Sequence, residues 1–186
     1  MAWLAAHAWI AVFVPLMVAV VIAVAGRRAV ATAQWLALAA PVAAGLVGVA
    51  GLRGGVTPVS VAWLAQGGDT IAGGIAVDGL SAIMLVVVGV VASMVVVFSV
   101  GYMAEDDSRP RYFALIALFT ASMSLLVMST SLVTLFIGWE LVGACSYLLI
   151  GFWHRKPAAA NAAVKAFLTT RVGDVGMLVG LALLWK

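Results

Sequence analysis

Residues 112–153 read YFALIALFTASMSLLVMSTSLVTLFIGWELVGACSYLLIGFW, and these 42 positions hold a single charge, Glu140. At about 1.5 Å of helical rise per residue, a hydrocarbon layer of about 30 Å takes roughly 20 apolar residues per crossing. The stretch is too long for one crossing and right for two. The polar break Ser129-Thr130-Ser131 is the natural place to divide it.

Working outward, charges punctuate the rest of the chain in the same way. Glu105, Asp106, Asp107, Arg109, Pro110 and Arg111 make a compact polar turn, for which a solvated turn is a simpler reading than a metal site. Residues 79–104 before it form an uncharged third span. Residues 53–78 are richer in Gly, Thr and Ser, hold Arg53, Asp69 and Asp78, and form the longest loop, with room for a short strand pair or hairpin. Residues 29–52 are the second span, with Pro41 in the middle as an expected kink or local break. Residues 1–26 contain no Asp, Glu, Lys or Arg, and Arg27 follows the apolar run rather than preceding it. A cleaved signal peptide has the opposite order, so a retained first span is expected. On the other side, His154, Arg155, Lys156 and Pro157 form a loop, and residues 161–185 a sixth helix that holds Lys165, Arg171 and Asp174.

Composition agrees with that layout. Apolar residues make up 66% of the chain and charged residues 9%, against about 25% charged in soluble domains. Too few charges remain to cover a water-facing surface, and disorder needs the opposite balance. The net charge of +3 is dispersed, with no cluster larger than Arg27-Arg28 or Arg155-Lys156, so no nucleic-acid partner is expected. Lone Cys145, inside an apolar run, reads as a small packing residue. The fold class is therefore all-α, a polytopic transmembrane bundle of about six helices in contact with the lipid bilayer. Residues 1–78 comprise two helices and an extracytoplasmic loop, and residues 79–186 the start of a second unit with helices three to six. Loops one, three and five hold Arg27, Arg28, Arg109, Arg111, Arg155 and Lys156, whereas the opposite side holds Arg53 and Lys186. The positive-inside bias places the N-terminus outside. Trp3, Trp153 and Trp185 fall near span ends, where an interfacial belt places them.

The informative residues are those that are expensive to insert. An ionisable side chain near the bilayer centre costs on the order of 3 kcal/mol on insertion scales. Counted from the cytoplasmic ends of helices five and six, Glu140 and Asp174 lie roughly 20 Å deep, Arg171 about 15 Å and Lys165 about 6 Å. An antiparallel helix pair brings the first three to similar depth. Arg171 and Asp174, three apart, share a face and can pair, which leaves Glu140 with no obvious partner among these helices. Burial disfavours a charged carboxylate and a nearby cation favours it, so a buried Glu whose cation approaches and withdraws can load and unload a proton. The plainer alternative is a buried polar cluster that fixes helix packing. Glu140, Gly143, Ala144, Tyr147 and Gly151 follow helical spacing, a small-residue face suited to close packing. Gly176 and Gly180 form a weaker motif of the same kind, and His154 reads as solvated. No dinucleotide fingerprint, Walker-type loop, CxxC or pair of membrane histidines is present. Energy for transport is expected from an ion gradient or a partner subunit.

With those residues placed, Gly138-Trp139-Glu140-Leu141-Val142-Gly143-Ala144-Cys145-Ser146-Tyr147 and the residues through Trp153 resemble the acidic fifth-helix motif of subunit L of proton-pumping NADH:quinone oxidoreductase, respiratory complex I. Ala162-Ala163-Val164-Lys165-Ala166-Phe167 and Thr170-Arg171-Val172-Gly173-Asp174 resemble its sixth-helix motif, and Arg111-Tyr112-Phe113 and Ala121-Ser122-Met123 also have the family's look. The resemblance is dense from about residue 77 to 180. It implies an antiporter-like membrane-arm subunit that takes part in proton translocation while other subunits oxidise NADH and reduce quinone. Glu140 matches the key acid, Arg171 and Asp174 the sixth-helix charged pair, and Lys165 a basic residue beside them. The family's partner lysine lies on a seventh helix, beyond these six, so the resemblance implies either an N-terminal part of such a subunit or a short relative. NADH, flavin, iron–sulfur clusters and quinone are expected only in partner subunits, with no cofactor in this chain. Other membrane subunits are the implied partners, and a bacterial-type plasma membrane the implied location. Subunits of multi-subunit sodium/proton antiporters and of bicarbonate-accumulating complexes are similar and form the alternatives, as does a truncated structural or assembly element.

Overall fold

Lipid offers no hydrogen-bond partners to a backbone, so apolar runs of this length satisfy their own amides as helices. The computed structural model describes residues 7–54, 56–66 and 69–184. Among the described residues six helices follow one another: α1 (Ile10–Ala25), α2 (Ala33–Arg53), α3 (Gly79–Tyr102), α4 (Arg109–Met128), α5 (Leu132–Ile150) and α6 (Pro157–Leu184). Five of them, α2 to α6, are long and apolar enough to cross a membrane, and α1 is a shorter apolar helix of 16 residues. The chain is an integral membrane protein. Residues 1–6 of the expected first span, with Trp3, lie outside the described residues, as do Trp185 and Lys186.

The divisions follow local chemistry. Ser129-Thr130-Ser131 separates α4 from α5 as expected, and the Ser131 hydroxyl caps α5 by accepting from the Thr134 amide at 3.2 Å. Asp78 caps α3 in a reciprocal box: its carboxylate accepts from the Ser81 amide at 2.7 Å, and the Ser81 hydroxyl accepts from the Asp78 amide at 3.3 Å. The Ser81 hydroxyl also donates to Asp78 Oδ1, and that bond first, then the one from the Ser81 amide, holds the Asp78 carboxyl below its ordinary range. α6 starts earlier than residue 161 because Pro157, which has no amide to leave unpaired, suits a first helical turn.

One expectation is narrowed and another is met. The kink or break expected at Pro41 does not end the helix, for α2 runs unbroken through this fully buried residue. A short 3-10 turn, Gly26–Ala29, precedes α2 instead. The 53–78 loop is an antiparallel hairpin, β1 (Val56–Gln66) with β2 (Asp69–Val77), paired from Val56 with Val77 to Gln66 with Asp69. Its base is tied to the α4–α5 connection, where Thr130 donates to the Gly74 carbonyl at 3.0 Å and Gly74 donates to Thr134 Oγ1 at 3.1 Å.

α2 packs against α3, and α1 and α4 pack against each other and against α2, while α5 lies on α4 and α6 on α5. The α2–α3 approach is close because both helices present glycine. A methyl on Gly89 would stand 2.6 Å from the Gly45 Cα, and one on Gly48 2.8 Å from the Ala82 carbonyl oxygen. Ala44, Val47, Ala82, Leu85 and Met128 fill one end of the core, and Ile22, Ala37, Val96 and Phe113 the other. At the end carrying Arg111 and Lys156, the Trp153 indole donates to Asp106 at 2.8 Å, the Lys156 ammonium lies 4.8 Å from the Trp153 ring, and Arg111 donates to the Phe152 carbonyl. Asp106 is thereby engaged by neighbours, with the Ser108 amide donating to its other oxygen at 2.7 Å. The indole bond, followed by that amide, holds the Asp106 carboxyl below the usual carboxylate range.

Candidate functional site

α5 and α6 run antiparallel, and their contacts set a register. From one end, a methyl on Gly151 would stand 3.1 Å from the Ala163 Cβ, and the Tyr147 and Phe167 rings lie 5.1 Å apart. Next, Gly143 faces the Arg171 guanidinium, Glu140 pairs with Arg171, and Trp139 reaches Asp174. The small-residue face of α5 read from the sequence therefore does pack against another helix. On the other side of α5, Gly138 lies against the backbone of Leu126, which seats α5 on α4.

That register brings three of the four candidate residues together. Arg171 Nη1 forms an ion pair with Glu140 Oε2, and the same nitrogen lies 3.5 Å from Asp174 Oδ2. Asp174 is buried at 8% exposure, whereas the side chains of Arg171 and Glu140 keep 25% and 28%. Glu140, expected to lack a partner within these six helices, is thus corrected: its partner is Arg171. Sequence spacing revealed the i,i+3 relation of Arg171 to Asp174 but not the reach across to α5, which depends on helix register. Lys165, the fourth candidate, is exposed and forms no ion pair among the described residues. Six positions before Arg171, it lies roughly 9 Å along the helix from it.

Three further residues shape the site. The Trp139 indole Nε1 donates to Asp174 Oδ1 at 2.8 Å. The Arg171 guanidinium stacks over the Phe167 ring at 4.7 Å, a cation–π contact. Gly143 leaves the space that the guanidinium fills. The Phe167 contact was legible as an i,i+4 spacing on one helix, whereas the other two cross between helices. A cavity of about 290 Å³ beside the cluster is bounded by Met123, Trp139, Tyr147, Phe167, Thr170 and Asp174, among others. Chemically, one cation is shared by two carboxylates inside an apolar helix pair, so a proton on either acid frees the guanidinium for the other.

Helices of this length around such a cluster define a polytopic membrane protein with an ionisable centre between two spans. Residues 63–113 match the family model described as NADH-ubiquinone oxidoreductase (complex I), chain 5 N-terminus, and residues 129–186 that described as NADH:quinone oxidoreductase/Mrp antiporter, TM. Among curated relatives, NADH-quinone oxidoreductase subunit L of Mycobacterium tuberculosis is 41% identical over 186 residues, covering 95% of this chain and 29% of that protein. F(420)H(2) dehydrogenase subunit L of Methanosarcina mazei is 55% identical over 108 residues, 58% of this chain and 16% of that one. Among solved structures, the Mrp complex from Dietzia sp. DQ12-45-1b contains a chain with the same fold, at a TM-score of 0.76 and 24% identity, over 95% of this chain and 19% of that one. The chain belongs to the antiporter-like membrane-subunit family of NADH:quinone oxidoreductases and Mrp antiporters. It spans less than a third of the length of these curated relatives. The likeness also reaches further toward the N-terminus than the motifs from residue 77 onward suggested.

Proposed function

We propose that this chain takes part in proton translocation within the membrane arm of an NADH:quinone oxidoreductase, coupled to electron transfer in other subunits. The observation that carries the reading is the Arg171 guanidinium shared between Glu140 and Asp174 across α5 and α6. A shared cation makes proton uptake at Glu140 depend on where Arg171 sits, which is what a coupled translocation step requires. Glu140 is the exchanging acid, Arg171 the cation that moves between stations, and Asp174 the second station. Lys165 lies toward the basic end of α6, where it serves as a relay for charge along the helix.

The two subunit L relatives bear names with different electron donors, NADH in one and F(420)H(2) in the other. That this chain is similar to subunits carrying both names supports placing NADH, flavin, iron–sulfur clusters and quinone in partner subunits rather than here. Other membrane subunits are then the partners, and a bacterial plasma membrane the setting. The second reading, a sodium/proton antiporter subunit, is favoured by the family model over residues 129–186, whose description names Mrp antiporters as well.

Glu140→Gln tests the reading in the assembled complex. Protons translocated per NADH oxidised should fall several-fold while the subunit remains inserted. Unchanged proton translocation would remove Glu140 from the role, and sodium-dependent loss in place of it would favour the antiporter.

A further inference from the structure

Two residues of α5 touch the shared guanidinium system from opposite ends, and neither carries a charge. Trp139 donates to Asp174 Oδ1 at 2.8 Å, while Arg171 Nη1 stands 3.5 Å from the other oxygen, Oδ2. Gly143, one turn along, leaves an opening in which a methyl would lie 2.8 Å from Arg171 Nη2. The rest of the guanidinium's surroundings do little to fix it. Phe167 offers a ring face, and Arg171 Nε is buried without a hydrogen-bond partner among the described residues. The position of the cation is therefore set by competition between two carboxylates, modulated by a neutral donor on one and by steric space beside the other.

We propose that Trp139 and Gly143 are positioning residues that divide Arg171 between Asp174 and Glu140, holding the guanidinium on Glu140. The indole N–H satisfies part of the Asp174 charge, which lowers the demand of that carboxylate for Arg171. The notch at Gly143 admits the guanidinium to the α5 side, where Glu140 meets it. Removing either the donor or the notch shifts Arg171 toward Asp174 and leaves Glu140 less compensated. Among the described residues, the charged groups facing the cluster are Glu140 on α5 and Arg171, Asp174 and the more distant Lys165 on α6. The α4 side adjoining the cavity contributes Met123 and Leu126.

This inference rests on the reading of Glu140 as the exchanging acid, so the experiment separates the two. In the assembled complex, proton translocation per electron pair is measured against pH for the parent, Glu140→Gln, Trp139→Phe, Gly143→Ala and Asp174→Asn, with the amount of assembled subunit quantified in each. A hydrogen bond to a charged group is strong enough to change a proton affinity by roughly tenfold. Trp139→Phe and Gly143→Ala are therefore expected to move the pH midpoint of translocation about one unit to the alkaline side, as a less compensated Glu140 takes a proton more readily. The Trp139→Phe shift should vanish in an Asp174→Asn background, because the indole acts through that carboxylate. Gly143→Ala contacts the far end of a flexible side chain, so folding should survive it; should it not, Trp139→Phe alone decides. If Glu140→Gln abolishes translocation while Trp139→Phe leaves the midpoint in place, the positioning role is overturned and the functional reading stands. A Trp139→Phe shift that persists in the Asp174→Asn background, or a loss of assembly with an unchanged midpoint, also overturns it. If Glu140→Gln itself changes nothing, it is the functional reading that falls.

Discussion

Arg171 shows why the type of cation matters. Its planar fork can meet two carboxylates from one position, whereas a lysine ammonium is a compact point charge. Arg171→Lys is expected to retain insertion but to lose the simultaneous contact with Glu140 and Asp174, and translocation per electron pair should drop several-fold. Arg171→Ala leaves two carboxylates inside an apolar pair with no cation. Breaking a fully buried pair costs about 3–5 kcal/mol, and with a quarter of these side chains exposed a loss of about 2 kcal/mol is expected. Thermal inactivation of the purified complex measures it, and adding Asp174→Asn to Arg171→Ala should recover part of the loss. An Arg171→Ala complex as heat-stable as the parent would show that the cluster contributes nothing to stability. At this scale Glu140, Arg171 and Asp174 were identifiable from the sequence because charges inside apolar helices are costly and stand out. Gly143 was legible only as part of a small-residue packing face, and the reach of Trp139 to Asp174 not at all, since an indole and a glycine in an apolar helix are inexpensive and carry no such signal.

Among the elements, helix ends were the most legible feature. Ser129-Thr130-Ser131 divides the long apolar stretch where its polar side chains can cap, and the charged turns stand where the helices stop. Pro41 does not break α2, because its ring removes one amide without abolishing the packing that holds the helix together. The end that carries loops three and five is joined by Asp106 and Trp153, and here the sign of a pH effect follows. The Asp106 carboxyl is held low in the folded protein by the Trp153 indole first and the Ser108 amide second. Its contribution is therefore fully present above the ordinary carboxylate range and is lost as pH falls through the lowered folded value. Hydrogen exchange in residues 151–156 should be faster in Asp106→Ala than in the parent at neutral pH. That difference should close as the sample is acidified below the usual carboxylate range. A difference that is constant with pH would point to something other than the charge on Asp106.

For the whole molecule, sidedness is expected from the basic residues of alternate loops, and the structure gathers two of those loops at one end through Trp153, Asp106 and Phe152. With Cys145 replaced by Ser, a cysteine at Lys156 is expected to react with a membrane-impermeant thiol reagent from the cytoplasmic side, and one at Asp69 in the hairpin only from the opposite side. Reaction of both from one side would overturn the orientation. α6 lies at the edge of the bundle, and Val172, Val175, Leu178, Val179 and Leu183 on it are exposed. Gly176 and Gly180, read as a weak packing motif, meet open space within 4 Å. Membrane insertion and the identity of the costly side chains were determined by the sequence alone, because each follows from local hydrophobicity and from the price of a charge in lipid. The partner of Glu140 was decided by tertiary structure. Arg171 is 31 positions away in the chain, and it meets Glu140 only because Gly151 against Ala163 and Tyr147 against Phe167 lock the two helices in one register.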